Sequence, residues 1–157
     1  MRAGAGILAT GLVLLAACGA APSGSPTPAA TPAAGPRVVM PSGAVYTVEV
    51  ARTPEEQAQG LMYRESLPAR AGMIFLFTDG GSHNFWMKNT MIPLDILWID
   101  GQGKVIFVSA NTPPCKSDPC PSYGPKAPAP TVLELGGGMA AKEGLREGSE
   151  LKVEGLN

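Results

Sequence analysis

Residues 94–110, LDILWIDGQGKVIFVSA, contain the signals of two strands and of the turn that joins them. Residues 94–100 and 104–110 are dense in β-branched and aromatic side chains, which favour strands. The intervening DGQG, residues 100–103, has the Asp-Gly step of a tight hairpin turn. This segment therefore predicts a β-hairpin at the centre of a β-rich domain.

Further strands are predicted on both sides of this hairpin. In residues 44–51, Tyr46, Val48 and Val50 alternate with more polar side chains, so these three are expected to face the core. The other predicted strands are residues 38–40, 72–77, 84–91, 131–135 and 150–153, which are bounded by Gly-rich or Pro-containing breaks.

Two short helices complete the predicted elements. The first begins after Thr53, with Pro54 at the first helical position and Glu56 placed to complete a capping box, and Gly60 ends it. The second covers residues 139–143. The fold class is therefore mainly β, a compact sandwich or partly closed barrel of about seven or eight strands with one or two short helices.

The first 18 residues indicate export and lipid anchoring. Arg2 precedes an apolar run over residues 7–17, which is shorter than the roughly 20 residues that a transmembrane helix needs. The run ends in LAAC, residues 15–18, which resembles a bacterial lipoprotein signal, whose Cys receives diacylglycerol before cleavage. An ordinary secretory signal with an incidental Cys18 is the alternative.

Three regions follow from this interpretation. Residues 1–17 are a signal peptide, residues 18–36 are the lipidated Cys18 with a disordered Pro- and Ala-rich tether, and residues 37–157 are a single β-rich domain. The lipid at Cys18 is expected to anchor the chain to a membrane. That membrane is the outer one if the cell has two, and otherwise the anchor lies on the outer face of the cell membrane.

Composition excludes several classes of function. The chain has 12 basic and 13 acidic residues and no run of like charge, so the basic surface that nucleic acid requires is missing. His83 is the only histidine, which excludes a site with two imidazoles from this chain. No nucleophile elbow, phosphate-binding loop or His-Glu-x-x-His motif occurs. We therefore predict no nucleic-acid partner, no metal, no cofactor and no recognisable catalytic constellation.

Cys115 and Cys120 are predicted to form a disulfide. Without the lipidated Cys18 they are an even pair in a compartment that permits disulfides, and they lie in a Pro-rich loop that the bond would stiffen. Free thiols are one alternative. A redox site or a metal site is the other, but the spacing is not Cys-x-x-Cys and zinc would need two more ligands.

Five segments resemble the domain of unknown function 192 (DUF192) family, and the resemblance extends over residues 45–153. They are GLMYR (residues 60–64), GMIFLF (72–77), FWMKNTMIPLDILWID (85–100), the PPC, PC and PSY of residues 113–123, and LELGGG (133–138). The resemblance implies a small, mainly β domain, often secreted or membrane-tethered in bacteria and archaea, with no established activity. Many members carry Gly-Asp where this chain has Gly148-Ser149, so no role is carried over for that acid.

The segment FWMKNTMIPLDILWID, residues 85–100, is the specific signature of this resemblance, and it contains one polar side chain in an apolar row. In a strand through residues 84–91, Asn89 would share a face with Phe85, Met87 and Met91. A buried amide needs partners, because an unsatisfied one costs about 1 to 3 kcal/mol. Asn89 is therefore expected either to tie down a neighbouring loop or to orient a ligand in an apolar pocket.

Asp95 presents the same problem at the start of the next strand. A buried carboxylate requires a cationic or hydrogen-bonding partner, and Arg64 and Lys88 are the candidates. The pair is either structural or part of a ligand site. If Arg64, Trp86, Lys88, Asn89 and Asp95 converge around one concavity, they suit recognition of a small polar ligand better than catalysis.

The sequence therefore predicts a lipid-anchored envelope protein that binds a small polar ligand or a cell-wall fragment. A structural or protein-interaction module of the cell envelope is the second hypothesis. A hydrolase or lyase that uses Asp95 with Lys88 as an acid and base pair is the third.

Overall fold

β-Structure dominates residues 35–156, the part of the chain that the computed structural model describes. Nine strands and two short helices occur within these residues. The strands are β1 (Arg37–Val39), β2 (Val45–Ala51), β3 (Ala71–Leu76), β4 (Phe85–Trp86), β5 (Leu94–Ile99), β6 (Val105–Thr112), β7 (Ser122–Tyr123), β8 (Thr131–Gly136) and β9 (Lys152–Glu154), and the helices are α1 (Pro54–Gln59) and α2 (Met139–Lys142). The predicted signal, Cys18 and most of the tether lie outside the described residues.

Seven strands form one curled sheet in the order β6-β5-β8-β3-β2-β1-β9, and β4 pairs with β7 in a small second sheet. Every neighbouring pair is antiparallel except β2 and β3, which α1 connects. At one end the sheet approaches closure, because Val105 N–H donates to Ser149 O and Leu151 N–H donates to Gly103 O, both at 2.8 Å. The predicted mainly β fold is confirmed, and its form is a half-barrel.

Both faces of the large sheet are buried. All six residues of β5 are buried, as expected for a central strand that is covered on both sides. Alternate residues of each central strand enter two separate apolar clusters, which we call the first core and the second core. Ile74, Leu97 and Leu133 belong to the first core, whereas Phe75 and Trp98 belong to the second core.

The predicted helix signals are confirmed at α1. Glu56 N–H donates to Thr53 Oγ1 at 3.2 Å, and Thr53 N–H donates to Glu56 Oε2 at 3.0 Å, which completes the capping box. Gly60 ends the helix with φ 46°, a left-handed conformation that glycine adopts without a steric penalty. No helix among residues 35–156 is long and apolar enough to cross a membrane.

The predicted strand over residues 84–91 is wrong beyond its first residues. Only Phe85 and Trp86 form a strand, and a turn follows in which Thr90 N–H donates to Met87 O at 3.3 Å. Asn89 adopts φ 56° in that turn, which breaks the alternation of faces. The short strand β7, which pairs with Phe85 and Trp86, was not predicted.

Candidate functional site

Asp95 is completely buried on the first-core face of β5. Its two carboxylate oxygens accept hydrogen bonds from the backbone N–H groups of Asn111 and Ala140, each at 2.6 Å. These bonds tie the end of β6 and the start of α2 to the central strand. The expected cationic partner is therefore replaced by two backbone donors, and neither Arg64 nor Lys88 pairs with Asp95.

Arg64 instead pairs with Glu49 on β2. The guanidinium makes two hydrogen bonds to the carboxylate, and the one between Nη2 and Oε2 is 2.7 Å long. This pairing holds the pKa of Glu49 below its ordinary value and raises the pKa of Arg64. Arg64 keeps its charge, but that charge is balanced by an acid within hydrogen-bonding distance.

Lys88 and Asn89 face the loop that carries the two cysteines. Lys88 Nζ lies 3.0 Å from Asp118 Oδ2 and 5.5 Å from the centroid of the Trp86 ring, which is a cation–π geometry. Asn89 is exposed, and its backbone oxygen accepts a hydrogen bond from Tyr63 N–H at 2.8 Å. The expectation of a buried Asn89 amide in an apolar row is therefore wrong.

The disulfide between Cys115 and Cys120 is present, as predicted. We call residues 113–123 the disulfide loop. Cys115 N–H donates to Met87 O at 3.1 Å, and β7 at the end of the loop pairs with β4. The loop therefore supports the backbone on both sides of Trp86.

Removal of the disulfide is expected to lower the free energy of unfolding by about 2 kcal/mol, because the cross-link closes a short loop. The change to test is the double variant Cys115→Ala/Cys120→Ala, compared with the wild-type domain in urea with and without reductant. The reduced wild type should match the double variant, whose own midpoint should not respond to reductant. A double variant as stable as the oxidised protein would show that the other loop contacts suffice.

Glu134 is the functional candidate that the sequence analysis missed. It lies in the middle of β8, is 5% exposed, and points to the second-core face between Val132 and Gly136. Its Oε2 atom has no hydrogen-bond partner in the part of the chain that the structure describes. A signal was available in LEL, where an acid interrupts an otherwise apolar strand.

Burial raises the pKa of Glu134 from 4.5 to about 8, although the nearby positive charge of Arg64 acts in the opposite direction. The register places Glu49, Met73 and Glu134 in one row across β2, β3 and β8, so the Arg64–Glu49 pair lies on the same face of the sheet. With a pKa of about 8, the carboxyl of Glu134 is mostly protonated at pH 7.

A cleft opens above the Glu134 carboxyl, and we call it the Glu134 cleft. Its volume is about 30 Å³. A side chain at Gly60 would enter this space, since its Cβ would lie 3.2 Å from Phe75 Cζ and 3.8 Å from Glu134 Oε2. The lining consists of Gln57, Ala58, Gln59, Gly60, Leu61, Met62, Phe75, Phe85, Trp86, Thr90 and Glu134.

A wider groove adjoins the Glu134 cleft and shares Phe85 and Trp86 with it. The groove has a volume of about 370 Å³ and continues past His83, whose ring stacks on Phe77 with a centroid distance of 3.6 Å. Trp86 is 51% exposed at the junction of the two spaces. Together they offer an aromatic surface, a buried acid and room for a small molecule.

The predicted site residues thus separate into three places. Trp86 lines the Glu134 cleft, and Arg64 lies close enough to influence the Glu134 carboxyl. Lys88 and Asn89 line a depression against the disulfide loop, and Asp95 lies on the opposite face of the sheet. Within residues 35–156, no three His, Cys, Asp or Glu side chains are grouped as a metal site requires.

Comparison with known proteins identifies the family. The sequence profile of DUF192, described as "Uncharacterized ACR", matches residues 37–153. Among curated proteins, none matches this chain. A protein of unknown function from Novosphingobium aromaticivorans DSM 12444 has a similar crystal structure, with a TM-score of 0.68 and 38% sequence identity over 74% of this chain and 82% of that one.

A second similar crystal structure is that of a Sinorhizobium meliloti 1021 protein described as a "putative transcription regulator". Its TM-score is 0.68, with 35% identity over 77% of this chain and 93% of that one. The profile match covers most of the chain, and both structures share the fold at substantial identity. This chain therefore belongs to the uncharacterised DUF192 family.

Proposed function

We propose that this protein binds a small polar ligand, such as a cell-wall fragment, in the Glu134 cleft and its adjoining groove. The observation that carries the proposal is the buried Glu134 carboxyl, which has an unpaired oxygen at the base of a cleft whose rim is the half-exposed Trp86. An unpaired buried polar atom costs about 1 to 3 kcal/mol, and a ligand that hydrogen-bonds to it offsets that cost.

The hydrolase or lyase hypothesis receives no support from the contacts of its two residues. Both oxygens of Asp95 are held by backbone amides on the first-core face, and Lys88 is paired with Asp118. A nucleophile with an adjacent base is not formed by this pair. Binding is therefore the function that the described residues favour.

A protein-interaction module is the second candidate. Tyr63, Trp86 and Met91 are large apolar side chains with more than half of their surface exposed, and all three belong to segments that meet at Asn89. Exposed apolar groups of this kind mark contact surfaces when they are contiguous. The name of the Sinorhizobium relative suggests a role on nucleic acid, but 12 basic against 13 acidic residues in this chain do not favour one.

The proposed location is the outside of a membrane, with lipid on Cys18. Cys18→Ser should move the mature protein from the membrane fraction to the soluble fraction, or leave an unprocessed precursor, because the thiol that accepts the lipid is lost. Fractionation and intact mass in the native host provide the measurement, and Cys115→Ser is the control that should keep the lipid. Equal mass and equal membrane association of wild type and Cys18→Ser would contradict the anchor.

Tryptophan fluorescence tests the binding proposal, because the two tryptophans differ in exposure. Trp98 is completely buried, whereas Trp86 lines the cleft. N-acetylglucosamine and a muramyl dipeptide, added at millimolar concentrations, should shift the emission of Trp86 in a saturable manner. Glu134→Gln should weaken this response at least tenfold, and Trp86→Phe should abolish it.

Asn89→Ala is the matched control, since Asn89 is exposed outside the cleft. Its titration should equal that of the wild type. Two outcomes would contradict binding in the cleft and favour the interaction module. One is a fluorescence response that persists in Trp86→Phe. The other is a response that Asn89→Ala removes and Glu134→Gln leaves intact.

A further inference from the structure

The size of the Glu134 cleft limits what reaches the Glu134 carboxyl. A volume of about 30 Å³ holds one or two waters, or one small polar group of a larger molecule. The rest of a ligand would occupy the wider groove past Trp86, which has about 370 Å³. The group in contact with Glu134 is therefore a terminal one.

The charges around the cleft disfavour an anion. Two acids, Glu49 and Glu134, lie in one row of the sheet with Met73 between them. Arg64 is the nearest cation, and both of its terminal guanidinium nitrogens donate hydrogen bonds to the carboxylate of Glu49. Once Glu134 is ionised, the three groups carry a net charge of about −1, which a single positive charge would balance.

The walls of the cleft favour a cation over a neutral hydroxyl group. Phe75, Phe85 and Trp86 line it, and an aromatic ring attracts an ammonium group that lies over its face. Trp86 already makes this kind of contact with Lys88 Nζ, which lies 5.5 Å from the ring centroid, and Lys88 is not among the residues that line the cleft. A hydroxyl group would gain a hydrogen bond from Glu134 but no such attraction.

We propose that the Glu134 cleft takes a primary ammonium group, so that the ligand is a small amine with Glu134 as its counter-ion. This inference rests on the proposed function and specifies its ligand class. The proton balance is simple: the ligand enters as R–NH₃⁺, the Glu134 carboxylic acid releases its proton to water, and the bound state is an ammonium–carboxylate pair in a low-dielectric site. No covalent bond is formed or broken apart from that proton transfer.

Few other ionisable groups influence Glu134. Arg64 and Glu49 face it from the segment after α1 and from β2, and His83 lines the adjoining groove. The strands that flank β8 place apolar Met73 and Ile96 opposite Glu134. A pH dependence of amine binding that Glu134→Gln removes is therefore due to Glu134 and not to His83.

The test uses three probes of similar size: ethanolamine, ethylene glycol and glycolate, each at constant ionic strength, with Trp86 emission as the readout. Ethanolamine should bind in the millimolar range, as expected for a ligand with so few atoms. Ethylene glycol should bind at least tenfold more weakly, and glycolate should give no response. At pH 7 each bound ethanolamine should release about 0.9 proton, measured in weakly buffered solution, because a group with a pKa of about 8 is mostly protonated there.

The affinity for ethanolamine should rise between pH 6 and pH 8 by up to about tenfold per unit, since the competing proton leaves Glu134 over that range. Glu134→Gln should bind ethanolamine at least tenfold more weakly and without a pH dependence, whereas Asn89→Ala should behave as the wild type. The pH profile of the wild type tests the inference independently of the Glu134→Gln variant.

Three results would overturn the amine inference without overturning ligand binding in the cleft. The first is equal binding of ethylene glycol and ethanolamine. The second is a cleft that responds to N-acetylglucosamine and not to ethanolamine. The third is ethanolamine binding that is equal in wild type and Glu134→Gln, because Glu134 would then not be the counter-ion. Absence of any response in Trp86 emission to all of these probes would overturn both proposals.

Discussion

Replacing Glu134 with Gln is expected to stabilise the protein at pH 8 by about 3 to 5 kcal/mol, because the native state has a raised carboxyl pKa that the variant lacks. Glu134 is buried, and its pKa rises from 4.5 in the unfolded chain to about 8 in the native state. Each pKa unit corresponds to about 1.4 kcal/mol. The amide keeps the shape of the protonated acid and has no charge to bury.

The direction of the effect follows from which state holds the proton. Between pH 4.5 and about 8 the native protein keeps the Glu134 proton and the unfolded chain does not, so unfolding releases it. Stability contributed by this group is therefore complete below pH 4.5, falls as pH rises through the window, and is lost above about pH 8. Glu49, whose pKa is lowered by Arg64, contributes stability that is lost only as pH falls below about 4.5.

Urea unfolding at pH 5.5 and pH 8 measures this difference. The wild type should lose stability between the two values, and Glu134→Gln should lose much less. Glu55→Gln is the matched control, since Glu55 is exposed in the first turn of α1. Parallel stability profiles of wild type and Glu134→Gln would show that the Glu134 carboxyl is solvated or paired in the native protein. The binding proposal would then lose the unpaired buried acid on which it depends.

The elements with strong local signals could be predicted from the sequence. The hairpin around residues 100–103, the capping box of Thr53 and Glu56, and the helix stop at Gly60 each depend on residues within a few positions of one another. Residues 87–91 follow the opposite pattern. Their apolar spacing predicts a strand, but Met87 packs into the second core while Asn89 turns the chain, because contacts with the disulfide loop and with Tyr63 outweigh the strand preference.

The site could be predicted only in part, because the pairing of polar groups depends on which face of the sheet each one occupies. Asp95 and Glu134 both interrupt apolar strands, yet they lie on opposite faces. Both carboxylate oxygens of Asp95 accept hydrogen bonds from backbone amides, whereas Glu134 lines the cleft and has an oxygen without a hydrogen-bond partner among the described residues. Asp95 is the acid that the sequence singles out, because a carboxylate at the start of an apolar strand needs a partner. No spacing rule indicates that β8 and β5 place the two acids on opposite faces.

Asp95→Asn is expected to destabilise the protein by about 3 to 5 kcal/mol, the largest loss among the predicted site residues. The amide replaces one of two accepting oxygens with an NH₂ group, so the N–H of either Asn111 or Ala140 loses its acceptor on the completely buried Asp95 side chain. A hydrogen bond to a carboxylate contributes about 1.5 to 3 kcal/mol, and an unsatisfied buried donor costs about 1 to 3 kcal/mol. Urea unfolding at pH 7, with hydrogen exchange at those two amides, measures the effect.

Arg64→Ala and Asp118→Asn provide the contrast, because both remove one partner of an ion pair with at least a third of its surface exposed. Such pairs contribute about 0 to 1 kcal/mol, so both variants should stay close to the wild type. Asp95→Asn should also leave the emission of Trp86 and any ligand response unchanged in the folded fraction, since Asp95 lies across the sheet from the cleft. If Asp95→Asn were as stable as the wild type and altered ligand binding, Asp95 would be a ligand-binding residue and not the link between β5, β6 and α2.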